Sequence, residues 1–241
     1  MEPQVIYEDK NFLALDKPAG LLTHPTASST ETTLTDWLLK HYPEVSKVGD
    51  DPVTRPGIVH RLDRDTSGII LVARNQTYFN YLKNLFQNPC LPAGRRAIKK
   101  TYRALVYGKM TPKKGIIEKD IKVRYGTIKR TVFKGRGEKS AVTEYKLLKQ
   151  FTNFSWLEVT PLTGRTHQIR VHLASTGHPV VGDKLYGPKK SREAGFPNIN
   201  RQLLHAYSLE FSPSPGKRLK LAADLPADIK EILQSLKVAK N

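Results

Sequence analysis

The chain has 241 residues, of which 40 are Lys or Arg and 22 are Asp or Glu, so its formal net charge at pH 7 is +18. Its 39% hydrophobic content excludes disorder by composition, and no apolar run approaches the roughly 20 residues of a transmembrane helix. The N-terminus lacks a secretory signal pattern, and the single cysteine, Cys90, cannot form an internal disulfide. We therefore expect a reduced, cytoplasmic protein that contacts no membrane and binds a polyanion.

Most of the excess charge lies in residues 95–150, called the basic segment below. It contains 18 Lys and Arg but only four Asp and Glu, a net charge of +14, which leaves +4 for the rest of the chain. A positive field concentrated in this way is typical of proteins that bind the phosphates of nucleic acids. A basic surface that interacts only with solvent is the simpler alternative.

The first hundred residues alternate between strand-like and helix-like patterns. Two apolar runs at 5–7 and 12–15, separated by a polar turn, predict a β-hairpin. Helical spacing of apolar residues predicts helices over 33–41 and 75–87. Between them, the continuous apolar run at 68–73 predicts a buried strand.

Strand-like runs dominate from residue 101 onward, and they lie at 102–107, 128–133, 141–148, 154–161, 203–211 and 219–222. A helix is predicted over 167–176 with Thr166 as its cap, and a terminal helix over 226–236 with proline in its first turn. No repeat or low-complexity linker divides the chain. The pattern predicts a single domain over 1–241, of the α+β class, with a mostly antiparallel mixed sheet and flanking helices.

The first candidate for chemistry is the polar stretch at 57–68, which leads directly into the predicted buried strand. It places Asp63 and Asp65 two residues apart, with Arg61 and Arg64 interleaved. Neighbouring cations keep a carboxylate ionised at neutral pH, and an ionised, partly desolvated aspartate can act as a nucleophile or a base. A loop of surface ion pairs is the more common outcome for such clusters.

The second candidate is the stretch at 163–172. His167 and His172 are five residues apart, which places them on different faces of a helix or a strand, so the spacing argues against a metal site. Arg165, His167 and Arg170 instead stand near a predicted helix start, where anions are favoured. A solvated basic face is the alternative, and the interspersed apolar residues weaken it.

The third candidate is Tyr102, which lies at the start of a predicted strand, shortly after Lys99 and Lys100. In this arrangement an aromatic ring can stack on a nucleobase while the lysines contact phosphates. A tyrosine in a strand is more often simply part of the core.

These motifs together resemble the RluA-type pseudouridine synthases. The resemblance rests on His-Arg-Leu-Asp-x-x-Thr-Ser-Gly within 57–68, TGRTHQIRVHLASTGHPVVG at 163–182, DKPAG at 16–20 and LLHA at 203–206, and it extends over nearly the whole chain. It implies the pseudouridine synthase catalytic fold and the isomerisation of specific uridines in rRNA or tRNA to 5-ribosyluracil. It also implies that neither a metal nor an organic cofactor is needed.

Carried over position by position, the resemblance implies that Asp63 is the catalytic aspartate and that Arg61 helps to displace the target base from its stack. Tyr102 matches the tyrosine whose ring faces the uracil, and Arg170 matches the basic residue paired with the aspartate. Many relatives carry a small RNA-binding domain ahead of the catalytic domain. Here the catalytic pattern begins by Val5, so we expect a stand-alone catalytic domain that acts as a monomer.

Two other interpretations remain at this point. His60-Arg61-Leu62-Asp63 resembles a kinase catalytic loop, but the order of Leu and Asp is reversed and the other kinase motifs are missing. A non-catalytic RNA-binding module explains the charge, yet it gives no reason for Asp63, Arg61, Tyr102 and Arg170 to occur together. The sequence does not identify the modified uridine or the way in which Asp63 acts.

Overall fold

The structure is a computed structural model that describes residues 2–25, 30–88, 97–127, 129–188, 199–214 and 216–239. The chain forms two compact units. Unit 1 comprises Met1–Lys99 and Ala206–Asp224, and unit 2 comprises Lys100–His205 and Leu225–Asn241. The prediction of one catalytic domain over 1–241 stays a prediction.

Unit 1 is built on strands in the order β1-β2-β3-β11, with β12 paired to β11. The β1–β2, β2–β3 and β11–β12 pairs are antiparallel. Its elements are β1 (Gln4–Glu8), β2 (Phe12–Lys17), α1 (Leu34–His41), a short 3₁₀ helix (Pro43–Lys47), β3 (Ser67–Ala73), α2 (Gln76–Gln87), β12 (Lys217–Ala222) and most of β11 (Leu204–Ser214).

Local sequence explains why these elements begin and end where they do. The β1–β2 hairpin turns at Asp9, whose carboxylate accepts hydrogen bonds from the main-chain N–H groups of Asn11 (2.7 Å) and Phe12 (2.9 Å). Thr33 caps α1 in a capping box, and the side chain of Asn75 caps α2. Every residue of β3 is buried, as its continuous apolar sequence predicts.

Unit 2 contains a four-stranded antiparallel arrangement in the order β4-β10-β9-β5 and a small sheet in the order β7-β6-β8. Its elements are β4 (Ile98–Tyr107, most of which lies in this unit), β5 (Lys114–Glu118), β6 (Ile121–Val123), β7 (Arg130–Thr131), β8 (Arg136–Lys139), β9 (Val142–Gln150), β10 (Phe154–Pro161), α3 (Gln168–Ser175) and α4 (Ala227–Ser235). Ile169 and Leu173 of α3 pack into the same buried apolar cluster as Ala104 of β4 and Leu157 of β10. This packing places α3, with its cationic residues, against the sheet of its own unit.

The α+β class, the antiparallel pairing, the hairpin, the buried strand and the four helices are confirmed. The predicted strand at 128–133 is reduced to the two residues of β7, and residue 128 lies outside the described residues. Cys90 also lies outside them.

The predicted cap of α3 is wrong. The N-cap position is His167, in a left-handed conformation with φ of 58°, rather than Thr166. No side chain caps the first turn of the helix. The side chain of Gln168 instead holds the segment before the helix, because its Oε1 accepts hydrogen bonds from the Arg165 N–H (3.0 Å) and the Thr163 hydroxyl (2.7 Å).

Gly68 provides a test of this fold. Its φ is +114°, and a Cβ at this position would lie 2.3 Å from the carbonyl oxygen of Ala206. We expect Gly68→Ala to lower the free energy of unfolding by more than about 2 kcal/mol, measured by urea denaturation. Gly126→Ala is the control, because Gly126 also has a positive φ (+68°) but nothing lies within 4 Å of the added carbon. The control should cost about 1 kcal/mol, and equal losses in the two variants would contradict the clash.

Candidate active site

Asp63 occupies the first position of a tight turn in the stretch at 57–68, called the aspartate loop below. The Thr66 N–H donates a 3.1 Å hydrogen bond to the Asp63 carbonyl oxygen, and aspartate is favoured at this turn position. The Asp63 side chain is half-buried. Since β3 begins at Ser67, the turn is joined directly to a fully buried strand.

The main chain is held on both sides of Asp63. On one side, the Thr23 hydroxyl donates a 3.0 Å hydrogen bond to the carbonyl oxygen of Leu62. On the other, the carbonyl oxygen of Arg64 accepts hydrogen bonds from the Lys17 ammonium (3.0 Å) and the Gly20 N–H (2.9 Å). The position of the Asp63 backbone is therefore set by contacts that do not use its carboxylate.

Lys17 is the least expected of these anchors, because its side chain is fully buried. Its ammonium group donates to three main-chain carbonyl oxygens, those of Pro18 (2.9 Å), Leu21 (2.7 Å) and Arg64 (3.0 Å). A lysine ammonium has three N–H donors, so this geometry uses all of them. Hydrogen bonds to carbonyl dipoles offset part of the cost of removing the charge from water.

The other polar residues of the aspartate loop have separate roles. Arg61 is exposed, and its Nη1 lies 3.3 Å from Nε2 of the buried His24. Arg64 forms a 2.7 Å ion pair with Glu31, with both side chains 51% exposed, so the pair adds little stability. The ring of His60 stacks on Phe86. The Arg64–Glu31 pair fits the interpretation of the loop as a surface ion-pair cluster.

In unit 2, Arg170 projects from α3 and forms a buried bidentate pair with Asp183. The Nε–Oδ2 distance is 2.7 Å and the Nη2–Oδ1 distance is 2.9 Å, and the two side chains are 5% and 0% exposed. Burial would raise the pKa of Asp183, but the hydrogen bonds and charge of Arg170 and the N–H groups of Leu185 and Tyr186 lower it. The pair fixes the direction of the Arg170 side chain. The predicted pairing of Arg170 with Asp63 stays a prediction.

Tyr102 and Lys100 lie two residues apart on β4, so their side chains lie on the same face of that strand. Tyr102 is half-buried against the apolar cluster that contains Ile169. Lys100 is buried, and its ammonium donates a 2.9 Å hydrogen bond to the Thr163 carbonyl oxygen. Burial, assisted by the charge of Arg165, lowers the pKa of Lys100 to about 8.

The remaining predicted RNA-binding residues differ in exposure. Arg165 is exposed, with its Nε donating to the Ser140 carbonyl oxygen (3.0 Å), and Lys99 is half-buried. His167 is half-buried, and its Nδ1 lies 2.9 Å from the Tyr186 hydroxyl oxygen, which also accepts a 2.9 Å hydrogen bond from the Arg130 N–H. These phosphate contacts stay predictions.

Unit 1 thus brings Arg61 and Asp63 into one anchored loop. Unit 2 links His167 and Arg170 through Tyr186, whose hydroxyl contacts His167 and whose ring centroid lies 5.2 Å from Cζ of Arg170. Sequence reasoning missed Lys17, His24 and Asp183. The signal for Lys17 was the DKPAG motif, and the signal for Asp183 was a carboxylate directly after the apolar run that ends the 163–182 motif.

Among the residues that the structure describes, no helix is long and apolar enough to span a membrane. No group of three or more His, Cys, Asp or Glu side chains among them is arranged to hold a metal ion. His172 instead lies in the core, with Nδ1 and Nε2 each 2.9 Å from a neighbouring oxygen, the Thr143 hydroxyl and the Lys119 carbonyl.

Comparison with known proteins connects this geometry to a family. Residues 11–175, which include the aspartate loop and all of α3, match the family model described as RNA pseudouridylate synthase. The ribosomal large subunit pseudouridine synthase D of Nitrosomonas europaea is 38% identical over 239 residues, covering 97% of this chain and 65% of that protein. The uncharacterized RNA pseudouridine synthase YlyB of Bacillus subtilis is 36% identical, covering 98% of this chain and 74% of that protein.

A solved structure shares the fold. Human RNA pseudouridylate synthase domain containing 4 superposes with a TM-score of 0.74, covering 98% of this chain and 95% of that one at 23% identity. The fold is therefore that of the pseudouridylate synthase domain. On the sequence matches, the chain belongs to the RNA pseudouridylate synthase family. It spans 65% of the length of the Nitrosomonas protein and 62% of the length of its relative from Neisseria meningitidis serogroup B.

The Arg170–Asp183 pair yields a stability prediction. Asp183→Asn leaves a buried guanidinium without its counter-charge, so we expect the free energy of unfolding at pH 7 to fall by about 3–5 kcal/mol in urea denaturation. Because the pKa of Asp183 is lowered in the folded protein, the pair stabilises the fold fully above the usual pKa of an aspartate. This stabilisation is lost as the pH falls through the lowered pKa.

The control for this prediction is Glu210→Gln, which breaks the Arg218–Glu210 pair, whose side chains are 43% and 31% exposed. It should cost no more than about 1 kcal/mol. If the two variants lose the same stability, the buried pair is not the anchor described.

Proposed function

We propose that the chain is an RNA pseudouridine synthase that converts specific uridines of ribosomal or transfer RNA into 5-ribosyluracil, with Asp63 as the catalytic residue. The observation that carries the proposal is the anchored turn. The sequence resemblance matches the family's aspartate to Asp63, and Thr23 and Lys17 hold the main chain on both sides of this residue. The relatives named as ribosomal large subunit synthases favour rRNA over tRNA.

The proposed reaction is an isomerisation in which no atom is gained or lost overall. The N1–C1′ bond breaks, the uracil turns, and a C5–C1′ bond forms, after which C5 loses its proton and N1 gains one. Asp63 is proposed to act on the nucleotide directly, either as a nucleophile or as a base. Tyr102 is assigned to face the uracil and Arg170 to orient the charge of the site, with no metal or organic cofactor.

Base flipping is the second part of the proposal. A uracil stacked in folded RNA cannot turn in place, so it must leave the stack at a cost of a few kcal/mol. Arg61, exposed two residues before Asp63, is proposed to assist this displacement. Salt-dependent contacts between the protein and phosphates then offset the cost.

The basic segment is proposed to supply those contacts. Lys113, Lys114 and Lys134 are exposed, and two aromatic side chains of the segment are exposed as well, Phe133 beside Lys134 (71%) and Tyr125 after Arg124 (65%). Cations beside exposed rings suit a nucleic acid, because phosphates and nucleobases can be bound together. Lys99, Lys100, Arg165 and His167 are proposed as further RNA contacts. We propose that the protein works as a cytoplasmic monomer with a single catalytic domain.

The first test is direct. Purified protein, without added metal, is incubated with total RNA from cells that lack it, and pseudouridines are mapped by carbodiimide labelling and primer extension. We expect Asp63→Asn to reduce conversion by more than about a thousandfold while RNA affinity changes by less than about threefold, because the carboxylate charge is lost and the shape is kept.

Asp65→Asn is the matched control, because it makes the same change two residues away, and it should retain turnover. The assignment of Asp63 would be overturned by an active Asp63→Asn variant. The enzyme proposal itself fails if the native protein modifies no uridine.

The second test concerns docking. Changing Lys113, Lys114 and Lys134 together to Gln should reduce the slope of log affinity against log salt concentration by about 2 to 3, because three phosphate contacts are lost. The control changes the exposed Lys40, Lys217 and Lys230, which lie outside the basic segment, and removes the same total charge. Filter-binding measurements between about 50 and 300 mM salt give both slopes. Equal slopes for the two triple variants would place the basic segment away from the RNA.

A further inference from the structure

His24 is a buried polar residue for which the function proposed above gives no role. It follows β2, and only 4% of its surface is exposed. Its Nε2 atom lies 3.3 Å from Nη1 of Arg61, the exposed arginine of the aspartate loop. The two residues are 37 positions apart in sequence, so this contact joins the segment after β2 to the loop that carries Asp63.

The chemistry of the two groups fixes the direction of this hydrogen bond. A guanidinium is always protonated and can only donate, so Nε2 of His24 must be the acceptor. The single imidazole proton then lies on Nδ1, and the ring is neutral. Burial, followed by the charges of Arg61 and Arg55, lowers the pKa of His24 to about 4, with Asp51 as an opposing charge. Nε2 of His24 is therefore available as a hydrogen-bond acceptor at neutral pH.

The other side of the imidazole shows that packing alone does not explain this residue. Nδ1 is shielded from solvent and has no hydrogen-bond partner among the described residues. A buried donor without a partner costs free energy, and an apolar side chain of similar size would avoid that cost. What the histidine provides and an apolar residue cannot is the acceptor facing Arg61.

We propose that His24 is a positioning residue, a neutral hydrogen-bond acceptor that orients the Arg61 guanidinium for displacement of the target base. This inference rests on the proposed function, because it gives Arg61 the task of helping the uridine out of its stack. It predicts that His24 matters most when the target uridine is stacked in folded RNA. A uridine that is already unpaired needs less help from Arg61.

The contact itself can be tested without any RNA. In ¹⁵N-labelled protein, NMR of the His24 ring should show the proton on Nδ1, with no titration between pH 8 and pH 5. Arg61→Ala should raise the pKa of His24, because a neighbouring positive charge is removed. Protonation of His24 near pH 6.5, or a proton on Nε2, would overturn the proposal whatever the enzymatic activity.

The role is tested with two variants and two substrates. His24→Leu removes the acceptor, whereas His24→Gln places an amide oxygen at similar reach. The substrates are an RNA carrying a uridine found by the mapping above, as a folded transcript and as a short unpaired fragment. For His24→Leu we expect kcat on the folded transcript to fall about tenfold, a loss under about threefold on the fragment, and an unchanged KM. His24→Gln should recover most of the loss on the folded transcript.

Thermal denaturation separates positioning from a structural role. Because His24→Leu removes a buried donor that has no partner in the described part of the chain, its melting temperature should equal or exceed that of the native protein. Equal losses on both substrates, no recovery in His24→Gln, or a fall in melting temperature matching the loss of activity would each overturn the proposal. A native protein that converts neither substrate refutes the proposed function instead, and the NMR result still decides whether His24 accepts a hydrogen bond from Arg61.

Discussion

The position of Asp63, the proposed catalytic residue, depends on one buried ammonium group. Lys17 ends β2, and its three N–H donors bind carbonyl oxygens from the turn that follows the strand and from the aspartate loop. A charge in this environment is stable only while all three carbonyls stay in place, since leaving water without replacement hydrogen bonds is expensive. Movement of the loop away from β2 would therefore take the Arg64 carbonyl, one of these three acceptors, from a buried cation, and this penalty favours the observed loop position.

The contacts of Thr23 and Lys17 act on the main chain of this loop. They bind the carbonyl oxygens of Leu62 and Arg64, on either side of Asp63, so a hydroxyl group and a buried ammonium hold the backbone. Under the proposed function, these two contacts do not involve the group that changes during the reaction. A backbone position fixed in advance reduces the reorganisation that catalysis requires.

Much of the fold could be predicted because the relevant signals are local. Apolar periodicity, the polar turn at Asp9 and the caps at Thr33 and Asn75 are encoded within a few residues of the elements that they define. The motifs likewise predicted site roles for Asp63 and Arg61, and these roles stay predictions. The anchors were not predictable, because Lys17 and Arg64 are 47 residues apart and a lysine in a sequence is normally interpreted as exposed. The predicted cap of α3 was wrong because the helix begins one residue later, after His167 in a left-handed conformation, and no side chain caps it.

The Tyr186 hydroxyl makes different demands on the positions that it joins. Its partner in the small sheet is the main-chain N–H of Arg130, whereas its partner at the start of α3 is the imidazole of His167. A main-chain donor is present in every residue except proline, so position 130 is free to vary without breaking this link. Position 186 needs a hydroxyl on a long, rigid side chain, which only tyrosine provides. The link between the small sheet and the start of α3 therefore tolerates substitutions at position 130 of the sheet but not at position 186.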